Sequence, residues 1–160
     1  MKPVLKLKNE EIGLYLEITD GLLNIIKDLG LKHYPKEFGG VLVGYYSIDK
    51  KTVNIIDTLL PVSYKSSKIH FERGSEGLKE QLIELFNAEQ PLIYLGEWHI
   101  HPDARPLPSG TDVEGITEIA KHKDVNITSP ILLIVGLTTT EMELGFYVYF
   151  KNKIYKYETY

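Results

Sequence analysis

The segment from Leu92 to His122 constrains the fold of this chain more than any other. Leu92 to His99 is apolar enough for a strand, and it leads directly into His99-Ile100-His101-Pro102. The prolines within residues 102–109 predict a constrained loop, because proline fixes its own φ angle and lacks a backbone N–H. A helix is predicted from Thr111 to about His122. This segment therefore brings three elements into one small region: the end of a strand with two histidines, a loop that turns the chain back, and a helix.

The remaining segments interleave hairpins with helices. Alternating or short apolar runs predict strands over Val4–Lys8, Leu14–Ile18, Gly40–Tyr46, Val53–Val62, Ile69–Glu72, Ile131–Leu137, Leu144–Phe150 and Ile154–Tyr157. Helical spacing predicts helices from Thr19 or Asp20 to about Tyr34 and from Gly77 to Ala88, whereas Tyr64–Lys68 is polar and predicts a loop. This order favours an α+β domain on a largely antiparallel sheet, and 160 residues suit one domain, residues 1–160.

The composition limits which partners and which metal ligands this chain can use. The net charge of -4 argues against nucleic acid or anionic lipid as the main partner. The chain contains no cysteine, so it offers no disulfide, thiol nucleophile or thiolate metal site. Any metal must be held by nitrogen and oxygen ligands. Met1 to Glu11 lacks the apolar run of a signal peptide, and a cytoplasmic location is expected.

The two histidines suggest a metal centre. Side chains at positions i and i+2 of a strand share a face, with Cα atoms about 6.5–7 Å apart, so His99 and His101 can reach one ion. Asp112, in the first turn of the following helix, can add an oxygen ligand. Zinc held this way keeps one position for water, lowers the pKa of that water to about 7 and polarises a carbonyl. Glu37 is a candidate general base, and Ser109 is a candidate donor to the developing oxyanion.

Each of these residues also has a simpler interpretation. A lone His-x-His on a strand can be two solvent-facing polar residues, and Glu37 can be a surface charge. Ser109-Gly110-Thr111-Asp112 fits a capping box, a role compatible with chemistry because capping would fix the loop that positions Asp112. Glycines after Glu37 can mark bends or close packing: Gly39, Gly40 and Gly44. Three other histidines lack ligand-like neighbours and are predicted to be ordinary: His33, His70 and His122.

Taken together, the residues resemble the JAMM/MPN metalloprotease family, whose pattern is a distant Glu, His-x-His-Pro, six residues, Ser, two residues and Asp. Glu37-Phe38-Gly39-Gly40-Val41-Leu42-Val43-Gly44 also resembles the family's Glu-x-Gly-Gly-x-Leu-x-Gly strand. The resemblance implies one zinc per chain on His99, His101 and Asp112, with water as the fourth ligand. It implies that Glu37 is the general acid/base and that Ser109 assists the tetrahedral intermediate. The implied fold is the cytidine-deaminase-like MPN/JAB fold, a curved, largely antiparallel sheet flanked by helices.

Tyr94-Leu95-Gly96-Glu97-Trp98-His99 resembles compact bacterial members found beside ubiquitin-like conjugation genes, including anti-phage operons of the CBASS and Bil types. The resemblance implies an isopeptidase or peptidase that cleaves after the C-terminal glycine of a ubiquitin-like protein. Its partners would be that protein or its conjugate, together with the activating and conjugating enzymes of the same operon. Arg73 and Arg105 are candidates to contact the tail or a neighbouring carboxylate.

Two other functions stay open. One is a peptidase that processes a sulfur-carrier protein, which would use the same residues. The other is a non-catalytic MPN interaction module whose metal is structural or absent. No nucleic acid or membrane partner is expected for any of these functions.

Overall fold

The computed structural model describes residues 3–122 and 127–160. The strands in these ranges are β1 (Val4–Asn9), β2 (Leu14–Thr19), β3 (Gly39–Tyr46), β4 (Thr52–Leu59), β5 (Tyr64–Ser66), β6 (Phe71–Arg73), β7 (Ile93–Pro102), β8 (Ile131–Leu137), β9 (Met142–Phe150), β10 (Lys153–Lys156) and β11 (Glu158–Thr159). The helices are α1 (Asp20–His33), α2 (Leu78–Phe86) and α3 (Gly110–Lys121). None of the helices in the described residues is long and apolar enough to cross a membrane.

Nine strands form one sheet in the order β10-β9-β8-β7-β3-β4-β2-β1-β11, and β5 pairs with β6 in a separate hairpin. Within the large sheet, β2 pairs with β4 and β7 pairs with β8 in parallel. The other neighbours in that sheet are antiparallel. The predicted α+β architecture with a largely antiparallel sheet is confirmed.

The sheet is strongly curved, because its two outermost strands, β10 and β11, follow each other in the chain. Asn9 on β1 donates from its side-chain amide to the Lys156 carbonyl on β10 at 2.9 Å. Between the two strands, the backbone N–H of Tyr157 donates to the Phe146 carbonyl at 2.9 Å, and its side chain is buried. The strand predicted over Ile154–Tyr157 forms as β10 at one edge of the sheet, but it ends at Lys156, and the chain crosses to the other edge at Tyr157.

Helices cover the two faces of the sheet. The side chain of Thr19 caps α1 by accepting the N–H of Leu22, and the buried residues of α1 pack into the main core. On α3, Ile116 packs against the opposite face, where it meets Leu132, Ile134, Tyr147 and Tyr149. Strand β8 lies between β7 and β9 and is buried at every position, as its continuous apolar run predicts.

One local prediction is wrong, and one predicted helix differs from the others in its packing. Residues 64–68 were predicted as a loop, but β5 begins at Tyr64 and pairs with β6, because a short polar segment can be a strand when a partner is close. Helix α2 forms as predicted, yet it contains no buried residue, and Ile83 and Phe86 are 51% and 59% exposed. Helical spacing places these residues on a shared face, but no neighbouring element covers that face in the described residues.

Trp98 on β7 fixes the packing of three adjacent strands. Its indole N–H donates to the Thr58 hydroxyl on β4 at 2.7 Å, and that hydroxyl donates to the Val41 carbonyl on β3 at 2.8 Å. A Cβ atom at Gly40 would lie only 2.9 Å from the indole nitrogen, so glycine lets the ring cross β3. The close-packing interpretation of this glycine is confirmed.

We predict that Thr58→Val lowers the free energy of unfolding by about 1–3 kcal/mol, because it leaves the buried indole N–H of Trp98 without its acceptor. Urea denaturation followed by tryptophan fluorescence measures the change. Thr58→Ser, which keeps the hydroxyl, is the matched control and should lose less stability. Equal unfolding free energies for the Val and Ser variants would contradict this account.

Candidate metal centre and active site

The register between β3 and β7 brings the candidate base to the histidines. Gly39 pairs with His99, and the Ile100 N–H donates to the Phe38 carbonyl at 2.8 Å. Continuing this antiparallel register places Glu37 opposite His101. Glu37, His99 and His101 then share one face of the sheet, and their ligand atoms lie within 4.8 Å of one another. Ile100 points to the opposite face, as alternation along a strand requires, and is fully buried.

The backbone at Glu37 is held by the β5–β6 hairpin. The Glu37 N–H donates to the Ser67 carbonyl at 2.8 Å, and the Glu37 carbonyl accepts a hydrogen bond from the Ser66 hydroxyl. The next residue, Phe38, is buried and stacks on the His33 ring with 3.7 Å between ring centroids. None of these contacts uses the Glu37 carboxylate, so the main chain fixes its position and leaves the carboxylate facing the histidines.

Asp112 is fixed by the first turn of α3. The Ser109 hydroxyl oxygen accepts the Asp112 N–H at 3.1 Å, and Asp112 Oδ2 accepts the Ser109 N–H at 2.8 Å. This is the predicted capping box, and it is confirmed. The same carboxylate lies 3.1 Å from His99 Nε2 through Oδ1 and 3.3 Å from His101 Nε2 through Oδ2. Asp112 therefore caps the helix and contacts both imidazoles at once.

The donor set fits a zinc ion. His99 Nε2 and His101 Nε2 are 3.0 Å apart, and each lies close to the Asp112 carboxylate. Ligand atoms around a tetrahedral zinc lie about 3.3 Å from one another, so these contacts match the edges of such a site. The side chains of His99, His101 and Asp112 are 13%, 14% and 13% exposed, which shields the centre and leaves it open to solvent on one side.

The two carboxyl groups of the site differ in acidity. Burial raises the pKa of the Glu37 carboxyl above its ordinary value, although the imidazoles of His99 and His101 act in the opposite direction. Burial also opposes ionisation of Asp112, but hydrogen bonds from His101 and His99 outweigh it and hold the pKa of that carboxyl well below its usual range. One carboxyl is thus suited to remain an ionised ligand, and the other is suited to exchange protons.

The centre opens into a groove of about 880 Å³. The β6 strand and the start of α2 line one side of it, and α3 lines the other. Its lining includes Glu37, Ser109 and the three candidate ligands. The structure therefore brings all five predicted site residues to one cavity. His70 and His122, predicted as ordinary, also line it, and His122 is the C-cap of α3 as its position near a helix end suggested.

Sequence reasoning missed a polar network in the groove. Arg73 on β6 donates from Nε and Nη2 to the two carboxylate oxygens of Glu97 at 2.6 and 2.7 Å, and the Tyr94 hydroxyl donates to Glu97 at 2.8 Å. Glu97 precedes His99 by two positions on β7 and therefore shares its face, which is the signal that could have placed it here. Of the two expected contacts of Arg73, the one to a neighbouring carboxylate is present. Arg105 lies 3.5 Å from Glu143 at an exposed position.

The chain is similar in sequence to known proteins. The family model for prokaryotic homologs of the JAB domain matches residues 19–147. A CD-NTase/cGAS isopeptidase of Enterobacter hormaechei subsp. hoffmannii is 37% identical over 107 residues, which are 66% of this chain and 58% of that protein. A second CD-NTase/cGAS isopeptidase, from Pseudomonas aeruginosa, is 33% identical over 111 residues, which are 68% of each chain. This chain therefore matches less than two thirds of the length of the Enterobacter relative.

The fold also matches a known structure. The solution structure of a protein from Desulfitobacterium hafniense covers 88% of both chains with a TM-score of 0.60 at 21% identity. The family match runs from the start of α1 into β9 and includes every residue of the site just described. This chain therefore belongs to the family of prokaryotic JAB-domain proteins.

Proposed function

We propose that this chain is a zinc-dependent isopeptidase of the JAMM type in a bacterial ubiquitin-like conjugation or anti-phage system. Its substrate would be a protein joined through its C-terminus to an amine of a target. That protein is either a ubiquitin-like protein cleaved after its terminal glycine or a CD-NTase of the kind named in the relatives. The observation that carries the proposal is the Glu37 carboxylate beside His99 and His101 on the floor of an open groove.

His99, His101 and Asp112 would hold the zinc. Asp112 is assigned as the third ligand, rather than Glu37, because its oxygens already lie 3.1 and 3.3 Å from the two imidazole nitrogens. Its ionised form is also favoured by those contacts. A bound zinc supplies Lewis acidity, which activates water at neutral pH and polarises the carbonyl under attack.

Glu37 and Ser109 would carry out the proton transfer and the stabilisation of charge. The Glu37 carboxylate takes a proton from the attacking water and delivers it to the leaving amine, so the lysine departs as a neutral group. The Ser109 oxygen already accepts the Asp112 N–H, and its O–H would donate to the oxygen that becomes negative in the tetrahedral intermediate. The Ser109 side chain would thus both cap α3 and stabilise the negative charge in the site.

The groove between β6 and α3 would hold the C-terminal tail of the substrate in an extended form. Its lining is mixed, with apolar side chains of α3 and β8 beside the Arg73–Glu97 pair. Residues 1–160 would act as one metalloprotease domain, and a cytoplasmic location stays a prediction.

The purified protein should contain about one zinc per chain, measured by atomic emission spectrometry. Asp112→Asn should lose the metal, because it removes the ligand charge while keeping an oxygen for the capping bond from Ser109. Asp103→Asn is the matched control, since this carboxylate lies at the start of the loop that leads to α3 but contacts Tyr34. Unchanged zinc content in Asp112→Asn would remove Asp112 from the ligand set.

Removal of zinc with a chelator should stop cleavage without unfolding the chain. The main core consists of apolar side chains from the large sheet and α1, which pack independently of the metal centre. Circular dichroism of the chelated protein should therefore keep its native far-UV spectrum at 25 °C. Unfolding on chelation would show that the metal is primarily structural.

Glu37→Gln should lower the rate of isopeptide cleavage by about 10²–10⁴-fold while zinc content stays unchanged. The measurement uses a ubiquitin-like protein and a CD-NTase, each joined through its C-terminal carboxyl to the ε-amine of a labelled lysine peptide. Glu84→Gln, an exposed glutamate on α2 outside the groove lining, is the matched control and should cleave at the wild-type rate. Full activity of Glu37→Gln would exclude it as the base.

The same assay distinguishes isopeptide cleavage from sulfur-carrier processing and from a non-catalytic interaction module. Cleavage of a sulfur-carrier fusion in preference to both isopeptide substrates would replace the proposed substrate with that class. Zinc binding without cleavage of any of these substrates, by wild type and Glu37→Gln alike, would favour an interaction module.

A further inference from the structure

The loop between β7 and α3 delivers the third candidate ligand. After Pro102 the chain turns at Asp103, which has a left-handed φ of 54° and donates its N–H to the Leu137 carbonyl at the end of β8 at 2.8 Å. Residues 103–109 then run across β8 and β9 before α3 begins at Gly110. His99 and His101 lie on a central strand, whereas Asp112 lies in the first turn of α3, which this loop connects to that strand.

Three residues form a seat for the loop, which we call the loop seat: Gly136, Gly145 and Tyr147. A Cβ atom at Gly136 would lie 2.5 Å from the Ala104 carbonyl oxygen, and one at Gly145 would lie 2.5 Å from the Pro106 carbonyl oxygen. The loop backbone therefore rests directly on the strands. The Tyr147 hydroxyl donates to the same Pro106 oxygen at 2.6 Å in a buried bond. The seat thus combines close contact with a directional hydrogen bond.

We propose that Tyr147 is a positioning residue for the metal centre, which holds Pro106 and, through it, keeps Asp112 beside the two histidines. Tyr147 is not among the residues that line the groove, so it acts through the loop and not by contact with a ligand. The inference rests on the proposed zinc centre and is independent of which bond the protein cleaves.

The physical basis is a population argument. A loop that leaves its seat carries Asp112 away and leaves two imidazoles on β7, a site with one ligand fewer. The apparent affinity for zinc equals the affinity of the complete site multiplied by the fraction of molecules in which the site is complete. Loss of the Tyr147–Pro106 bond leaves the buried carbonyl of Pro106 without this donor, which favours the displaced loop.

The chain supplies a matched control for Tyr147. Tyr149 lies two residues further along β9, belongs to the same packed cluster and is 7% exposed against 5% for Tyr147. Its hydroxyl donates to the Asn152 side chain at 3.2 Å, in the turn after β9, and not to the loop. Removal of either hydroxyl deletes one hydrogen bond on the same face of the sheet. Of these two bonds, the one made by Tyr147 holds the loop of residues 103–109, and the one made by Tyr149 does not.

The test compares zinc dissociation constants of wild type, Tyr147→Phe and Tyr149→Phe, measured by competition with a chromophoric chelator. We expect Tyr147→Phe to bind zinc about threefold to tenfold more weakly, and Tyr149→Phe to bind like wild type. Hydrogen exchange of the metal-free proteins provides a second readout, in which amides of residues 103–109 should exchange faster in Tyr147→Phe alone. Gly145→Ala should also weaken zinc binding, because its Cβ atom would clash with the Pro106 carbonyl oxygen.

Wild-type zinc affinity in Tyr147→Phe would overturn the positioning role and leave the proposed function intact. Equal weakening by Tyr147→Phe and Tyr149→Phe would also overturn it, because the effect would then reflect general packing of β9. A wild-type protein that binds no zinc would overturn both proposals. Full zinc binding without cleavage of any substrate would overturn the proposed function alone.

Discussion

The antiparallel pairing of β3 with β7 is the interaction on which the site depends. It joins residues far apart in the chain, since Gly39 lies opposite His99 and Glu37 lies beyond it, next to His101. A slip of one residue would turn Glu37 to the opposite face and separate it from both imidazoles. The hydrogen bond from Trp98 to Thr58 secures this register by tying β7 to β4 across β3.

The second constraint is the double role of Asp112. In the capping box its carboxylate satisfies the Ser109 N–H, and at the histidines it satisfies two imidazole nitrogens. The start of α3 and the candidate metal centre are consequently one structural unit. Helix α3 packs through Ile116 on the same sheet face that carries His99 and His101. Among the residues that the structure describes, no buried side-chain nitrogen or oxygen lacks a hydrogen-bond partner.

Local patterns in the sequence were sufficient for much of the fold. The helix that begins at Thr19, the buried strand β8 and the capping box at Ser109 all follow from spacing within a few residues. Features decided by what a segment contacts in the folded chain could not be predicted. The pairing of β5 with β6, the crossing to β11 at Tyr157 and the exposure of Phe86 depend on what each segment meets after folding. Within the site, the motif marked Glu37 and the histidines, and Arg73 was expected to contact a carboxylate. The identity of that carboxylate, Glu97, and the contact of Tyr147 with Pro106 became visible only in the folded chain.

The way in which Glu37 is held has an evolutionary consequence. Its N–H and carbonyl are bound by Ser67 and Ser66, and Phe38 anchors the next position, so the chain follows the same path whatever side chain stands at position 37. Descendants of such a protein can exchange the acid at this point and retain an intact groove. Under the proposed function, a single substitution at position 37 would then separate catalysis from binding of the substrate tail.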